Sequence, residues 1–282
     1  MLPIDRLISH RFRGFAREEN TIDGLNAALS FGVQQLEFDI RIAKCGTPMI
    51  YHDEAALDAA GKLRKICDVM ASEFSPVNQG GVGGRFATMP SAQALFKAAS
   101  LHPNKDARLL IDVKDAGFEE AIHALVSLYR LNSRAVYVSW IPEVLYQFHE
   151  IAEDVPLCFS HWCQNPDAQI RYLHTVFESL DGHIPQTETV IILGQRSGYY
   201  VKDGLSGGLR NMLIKTGGSV CVPQHMATEH LVSDYQNDGI KVSTFSYITW
   251  PAIEAHAAAM NIDLFFIDNK KVFDQLNFDR RI

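Results

Sequence analysis

The sequence has few cysteines and none of the spacings typical of zinc sites or disulfide frameworks. Its five cysteines are scattered, and no two of them form a Cys-x-x-Cys pair. No run of about 18 apolar residues occurs, and the first residues contain no apolar segment of the kind found in signal peptides. These absences argue against a zinc finger, a disulfide-rich domain and a membrane-spanning helix, and they predict a reducing, cytoplasmic location.

Positive charge is also scarce. Lysine and arginine number 26 against 33 acidic residues, which gives a net charge of −7, and no basic stretch is long enough to follow a phosphate backbone. Nucleic acid is therefore not expected as a partner. Hydrophobic residues make up 47% of the chain, enough for a sizeable core, and the sequence contains no internal repeat. We expect a single domain over residues 1–282.

Short apolar runs alternate with segments of helical period, which is the pattern of a parallel sheet with helical crossovers. Runs typical of strands occupy residues 7–10, 35–40, 48–53, 108–114, 135–140, 156–162, 219–223, 241–246 and 263–268. Helical periods occupy residues 21–32, 91–101, 118–131, 142–154 and 229–239.

The second and third of these strand runs are too close for a helix to join them. Only seven residues separate 35–40 from 48–53, whereas a crossover needs at least about 10–12 residues. A short β-hairpin or excursion is therefore predicted there, which leaves eight strands for an α/β fold, a (β/α)8 TIM barrel. Two long segments, 54–89 and 164–218, are predicted to be elaborated loops, the second of them in the second half of the barrel.

Polar residues follow or close several strand runs, where barrel enzymes place their working groups. Glu37 and Asp39 are two residues apart, so both side chains lie on one face of their strand, and Asp112 lies on the next barrel strand. One interpretation is that these carboxylates simply face the solvent. Among apolar neighbours, however, three carboxylates are costly to bury without a cation, and their oxygens suit Mg²⁺ or Ca²⁺. The pattern predicts one bound divalent cation.

Two histidines and two cations accompany these acids. His10 and His52 end strand runs, and imidazole titrates near neutrality, so the pair can serve as base and acid. Arg11 offers a guanidinium fork for phosphate, and Lys114 offers a point charge. Together these groups describe a phosphodiester site. Three further residues are candidates for the pocket, although each could equally have a structural role. They are Trp140, His161 and His225.

The sequence resembles a known family in several ordered segments. HRFRGFAREENT (10–21), LEFDIRIAKCGTPMIYHDE (36–54) and LLIDVK (109–114) are similar to motifs of the glycerophosphodiester phosphodiesterases, within the PLC-like phosphodiesterase superfamily. The resemblance implies that Glu37, Asp39 and Asp112 bind the metal and that His10 and His52 act as acid and base. It also implies that Arg11 and Lys114 bind phosphate and that Glu19 and Asn20 support the first loop.

The sequence departs from the family pattern at four positions. Phe12 replaces a glycine, Cys45 an aspartate, and Asp112 a glutamate. Phe245, a further candidate pocket residue, stands near a position where tryptophan is common. The shorter Asp112 side chain would draw the metal towards its strand or admit a water molecule between them.

The resemblance implies metal-dependent hydrolysis of a small glycerophosphodiester to glycerol phosphate and an alcohol. A neighbouring hydroxyl would attack phosphorus with the help of the histidines, and the reaction would pass through a cyclic phosphate. One alternative is a lipid phosphodiesterase of the sphingomyelinase D or lysophospholipase D kind, which would need membrane contact through an apolar rim in 164–218. A second alternative is a phosphodiester-binding protein that has lost catalysis, with Phe12 crowding the phosphate loop. The sequence does not indicate an oligomeric state or the head-group alcohol.

Overall fold

The strands of the protein form one large sheet and a small hairpin. We analysed a computed structural model that describes residues 2–58, 60–74, 89–161 and 204–279. The strands within these residues are β1 (Leu7–His10), β2 (Gln35–Ile42), β3 (Pro48–Ile50), β4 (Ala55–Leu57), β5 (Leu63–Lys65), β6 (Arg108–Val113), β7 (Ala135–Ser139), β8 (Leu157–Ser160), β9 (Ser219–Pro223), β10 (Lys241–Tyr247) and β11 (Leu264–Ile267).

The large sheet closes into a barrel. Its strand order is β1, β11, β10, β9, β8, β7, β6, β2 and β3, and β1 also pairs with β2, so eight parallel strands form a ring. The ninth strand, β3, pairs antiparallel with β2, with Ile40 opposite Ile50. This arrangement confirms the predicted (β/α)8 TIM barrel and the predicted hairpin after its second strand.

Helices surround the barrel and pack against its outer face. Thr21, Ser91 and Thr228 begin three of them, and each hydroxyl accepts a hydrogen bond from the backbone N–H three residues later. The described helices are α1 (Ile22–Phe31), α2 (Ala92–Leu101), α3 (Glu119–Leu128), α4 (Pro142–Ile151), α5 (Gly207–Thr216), α6 (Glu229–Asn237), α7 (Trp250–Met260) and α8 (Lys270–Asp279). The five predicted helices are among them.

Two predictions of extent need correction. The third strand ends at Ile50 rather than at residue 53, because the backbone bends at His52. The segment 164–218 ends in α5, whose buried Leu213 packs into the core, so this part is a regular crossover helix. The segment 54–89 contains the β4–β5 hairpin. Residues 75–88 and 162–203, which include most of the segment predicted to form an apolar membrane rim, lie outside the described residues.

Two apolar layers support the carboxyl ends of the barrel strands. The larger lies between the strands and the surrounding helices. The smaller fills the barrel interior, where Leu110, Cys158 and Phe266 are among its buried members. This inner layer makes the amino-terminal half of the barrel interior a packed core, which leaves the carboxyl ends of the strands as the place where barrels of this kind form their sites. Within the described part of the chain, no helix has the combination of length and apolar character needed to cross a membrane.

Candidate active site

A cavity of about 350 Å³ opens at the carboxyl ends of the barrel strands. Charged and polar groups line part of it, and uncharged or aromatic groups line the rest. The described lining residues are His10, Arg11, Arg13, Glu37, His52, Asp112, Lys114, Val138, Trp140, Ser160, His161, Cys221, Phe245, Ser246, Phe266 and Asp268. Most of the residues selected from the sequence therefore meet at one place.

Three carboxylates form a buried cluster beside this cavity. Asp39 of β2 lies opposite Asp112 of β6 in the parallel register, and Glu37 stands two residues before Asp39. One ligand oxygen from each residue lies within 4.8 Å of the others. Oδ1 of Asp112 is buried and makes no hydrogen bond within the described residues. Clustered carboxylate oxygens, one of them without a donor, fit a hard divalent cation.

The charges in this cluster are unevenly balanced. Burial, together with Asp39 and Asp112, raises the pKa of Glu37 well above its ordinary range. Burial also opposes ionisation of Asp39, but Lys114 and Arg11 outweigh it and lower the pKa of that carboxyl. The Lys114 ammonium lies 3.1 Å from Asp39 Oδ1 and also donates to Asp112. Without a cation, the protein therefore favours the neutral, protonated form of Glu37, which relieves the surplus negative charge of the cluster.

The loop after β1 brings its polar residues onto the same cluster. Arg11 Nε lies 3.2 Å from Asp39 Oδ2, and Nη1 lies 3.5 Å from Glu19 Oε1. The Asn20 side-chain amide donates to Asp39 Oδ2 at 2.9 Å, while its backbone N–H donates to the Arg11 carbonyl at 2.8 Å. Glu19 thus contacts Arg11, and Asn20 contacts both Arg11 and Asp39.

Phe12, which replaces a glycine of the family motif, lies away from the cavity. Its φ of +59° is in the left-handed region that glycine adopts most easily. The ring is fully buried in the core and packs against Phe38, with 5.9 Å between ring centroids. The backbone shape expected of a glycine is therefore kept, and the added side chain fills the core rather than the site.

His10 is held by a residue that the sequence analysis missed. Its Nδ1 lies 2.6 Å from Oδ1 of Asp268, directly after β11. The other oxygen of Asp268 accepts from Arg13 Nη1 at 2.7 Å and from the Ser246 hydroxyl at 2.6 Å. Burial lowers the pKa of His10, and Asp268 partly offsets this. In the sequence, the feature that could have identified Asp268 is its position at the end of the apolar run 263–268.

His52 lies in the bend after β3. Its Nδ1 is 2.8 Å from Oδ1 of the adjacent Asp53, and both residues are buried. The His52 carbonyl accepts a hydrogen bond from Arg41 Nε at 3.0 Å. His52 faces the same cavity as His10, so the site has two imidazoles, each with a carboxylate against Nδ1.

The candidate pocket residues separate into two groups. Trp140, His161 and Phe245 line the cavity. His161 is almost fully buried, its Nε2 lies 2.6 Å from the Tyr235 hydroxyl, and burial lowers its pKa to about 3. His225 is exposed in the turn after β9 and is not one of the described lining residues, because the chain leaves the barrel there.

Comparisons with known proteins agree with this geometry. Residues 8–159, more than half of the chain, match the model of the glycerophosphoryl diester phosphodiesterase family, whose members hydrolyse phosphoric diesters. Human glycerophosphodiester phosphodiesterase 1 is 25% identical over 195 residues, which cover 64% of this chain and 59% of the human protein. The chain thus spans less than two thirds of that relative's length.

Solved structures share the fold. A Silicibacter pomeroyi protein assigned to the glycerophosphoryl diester phosphodiesterases has a TM-score of 0.70 at 20% identity, covering 98% of this chain and 93% of its own. An Oleispira antarctica phosphodiesterase, solved with the product sn-glycerol-3-phosphate, has a TM-score of 0.61 at 17% identity, with 96% of each chain covered. With the family match, the resemblance found in the sequence is confirmed: the chain belongs to the glycerophosphoryl diester phosphodiesterase family.

Proposed function

We propose that this protein is a metal-dependent glycerophosphodiester phosphodiesterase that releases glycerol phosphate and an alcohol. The observation that carries the proposal is the convergence on one cavity of three buried carboxylates, two carboxylate-paired histidines and two cationic side chains. The sn-glycerol-3-phosphate bound to the Oleispira antarctica relative supports a small glycerophosphodiester as substrate. The proposal does not depend on a single-domain organisation over 1–282 or on a cytoplasmic location. Both stay predictions from the sequence.

Glu37, Asp39 and Asp112 would hold one divalent cation, Mg²⁺ or Ca²⁺. Two features of this chain favour a cation here. Oδ1 of Asp112 is buried and accepts no hydrogen bond within the described residues, and the pKa of Glu37 is raised, so a nearby positive charge would stabilise both carboxylates. A bound cation supplies positive charge for the phosphoryl oxygens as negative charge develops on them. Oxygen ligands of this kind favour Mg²⁺ or Ca²⁺ over softer metals.

Lys114 and Arg11 would bind the phosphate. Both are buried, and both line the cavity while facing Asp39. Because Asp39 fixes the two cationic groups before substrate arrives, little side-chain freedom is lost on binding.

His10 and His52 would move the protons. One imidazole takes the proton of the hydroxyl adjacent to the phosphodiester, and that oxygen forms a bond to phosphorus. The other imidazole protonates the departing alcohol as its bond to phosphorus breaks. A water molecule then opens the resulting cyclic phosphate with the two proton roles exchanged. Asp268 and Asp53 would stabilise the imidazolium that forms on each side.

Activity on two substrates tests the proposal against its alternatives. We expect the purified protein with Mg²⁺ or Ca²⁺ to hydrolyse glycerophosphocholine and to lose this activity in excess EDTA. Preference for a lysophospholipid in mixed micelles would instead indicate the lipid phosphodiesterase. Binding of glycerophosphocholine without turnover would indicate the non-catalytic protein, although Phe12, whose replacement of glycine suggested that reading, lies in the core.

A further inference from the structure

Arg41 is a buried arginine on the same face of β2 as the metal-ligand candidates. It follows Asp39 by two residues, so its side chain lies on the inner side of the barrel at the carboxyl end of the strand. Only 4% of Arg41 is exposed, and it is not among the described residues that line the cavity. A buried guanidinium that does not face the ligand must have its charge and its donors satisfied by the protein itself.

The guanidinium of Arg41 joins two loops of the site through their backbones. Nε donates to the His52 carbonyl at 3.0 Å, and Nη1 donates to the Lys114 carbonyl at 3.3 Å. Nη1 also lies 2.7 Å from Oδ1 of Asp115, whose Oδ2 accepts from the Ile42 backbone N–H at 2.9 Å. The carboxylate therefore fixes the guanidinium, and the guanidinium fixes the two carbonyls.

We propose that Arg41 is the positioning residue for His52, acting on the histidine through its carbonyl. This inference rests on the proposed function, since it concerns the geometry of one of the two proton-transferring groups. His52 lies in a bend two residues after β3 ends, and the Arg41 guanidinium donates directly to its backbone carbonyl. Asp53 contacts the ring at Nδ1, and Arg41 fixes the carbonyl next to the Cα from which that ring projects, so the guanidinium sets the backbone position of the imidazole.

The contact with Lys114 matters less for catalysis. Asp39 and Asp112 hold the Lys114 ammonium directly, so the phosphate-binding charge keeps its place when the carbonyl contact is lost. The effect of removing Arg41 is therefore confined to His52 and appears in kcat rather than in KM. A displacement of about 1 Å in a reacting group can cost on the order of 10²-fold in rate.

The experiment compares Arg41→Lys with Arg134→Lys. Arg134 is a matched control because it is also buried and also donates to two backbone carbonyls, those of Ala107 at 2.8 Å and Ala99 at 3.2 Å, at the opposite end of the barrel. With the metal-loaded enzyme and glycerophosphocholine, we expect Arg41→Lys to lower kcat by about 10–100-fold and to change KM by less than about 3-fold. Arg134→Lys should leave both constants within about 3-fold of the original protein.

A second background separates positioning from general destabilisation. In His52→Ala protein, Arg41→Lys should cost less than about 3-fold more in kcat, because the group that it positions is already absent. If Arg41→Lys does not fold, Asp115→Asn loosens the same guanidinium and should lower kcat in the same direction by about 3–10-fold. Additive losses, or a change confined to KM, would overturn the inference.

Crystal structures of the variant and the original protein give a readout that is independent of activity. We expect the His52 ring of Arg41→Lys to be displaced by about 1 Å or to be split over two positions. An unmoved His52 ring overturns the inference, whatever the activity. A wild-type protein that hydrolyses no glycerophosphodiester overturns the proposed function instead, and the position of His52 in the variant still decides the role of Arg41.

Discussion

Oδ1 of Asp268 lies 2.6 Å from Nδ1 of His10, and this contact determines which ring nitrogen faces the carboxylate cluster. Burial opposes ionisation of Asp268, but His10 and Arg13 outweigh it and lower the pKa of this carboxyl, so the group accepts a hydrogen bond rather than donating one. The proton of a neutral His10 is therefore on Nδ1, and Nε2 faces the acidic cluster, 3.7 Å from Glu37 Oε2.

Replacing this carboxylate tests the assignment of the tautomer. We expect Asp268→Asn to lower kcat by about 10²–10⁴-fold, since an amide no longer stabilises the imidazolium or selects the Nδ1 proton. Asp263→Asn is the control, because Asp263 accepts hydrogen bonds at the other end of the same strand. Steady-state kinetics on both variants provide the check, and equal rates for Asp268→Asn and the original protein would contradict the assignment.

Glu37→Gln separates metal binding from fold stability. Burial and the two neighbouring aspartates make a charged Glu37 unfavourable in the metal-free protein, so the neutral glutamine should raise the free energy of unfolding. Asp39→Asn should instead destabilise the fold by about 3–5 kcal/mol, because Arg11 and Lys114 lose their carboxylate partner. Urea unfolding with and without Mg²⁺ measures both effects. A metal-induced increase in stability that survives Glu37→Gln would place Glu37 outside the metal site.

The sequence was most informative where one regular element determined the geometry. The two-residue spacing of Glu37 and Asp39 is enough to place both on the inner face of β2, and alternation along the chain is enough to predict the barrel. His225 shows the limit of such reasoning, since a residue just after a strand can turn outward as easily as inward. Asp268 and Arg41 were missed because their roles depend on contacts across the barrel mouth, with His10 and His52, that no local pattern records.

Asp112→Glu tests the departure of this chain from the family pattern. The longer side chain changes the reach of one metal ligand, and ligand reach and cavity size separate Mg²⁺ from Ca²⁺. We expect the variant to keep turnover but to change the ratio of the activities supported by the two ions. Assays over a concentration series of each ion provide the measurement, and identical profiles would exclude Asp112 from direct contact with the metal.

His161 makes the free energy of unfolding depend on pH in the acid range. Its folded pKa of about 3 lies below the ordinary 6.5, so the unfolded chain binds a proton that the folded protein excludes. The stability contribution is complete above pH 6.5 and is lost as the pH falls towards 3, by on the order of 5 kcal/mol. His161→Gln should flatten the unfolding free energy between pH 6.5 and 4, and the exposed His225→Gln is the control. An unchanged slope in His161→Gln would show that the buried imidazole is not the source.

Phosphorus NMR of glycerophosphocholine hydrolysis tests the central claim most directly. Glycerophosphocholine and its analogue lacking the hydroxyl adjacent to the phosphodiester are incubated with the metal-loaded enzyme, and the phosphorus species are followed over time. We expect a cyclic phosphate that converts to glycerol phosphate, and little or no reaction of the deoxy analogue, because His10 and His52 act on that hydroxyl. Equal rates on the two substrates, with no cyclic intermediate, would contradict the account.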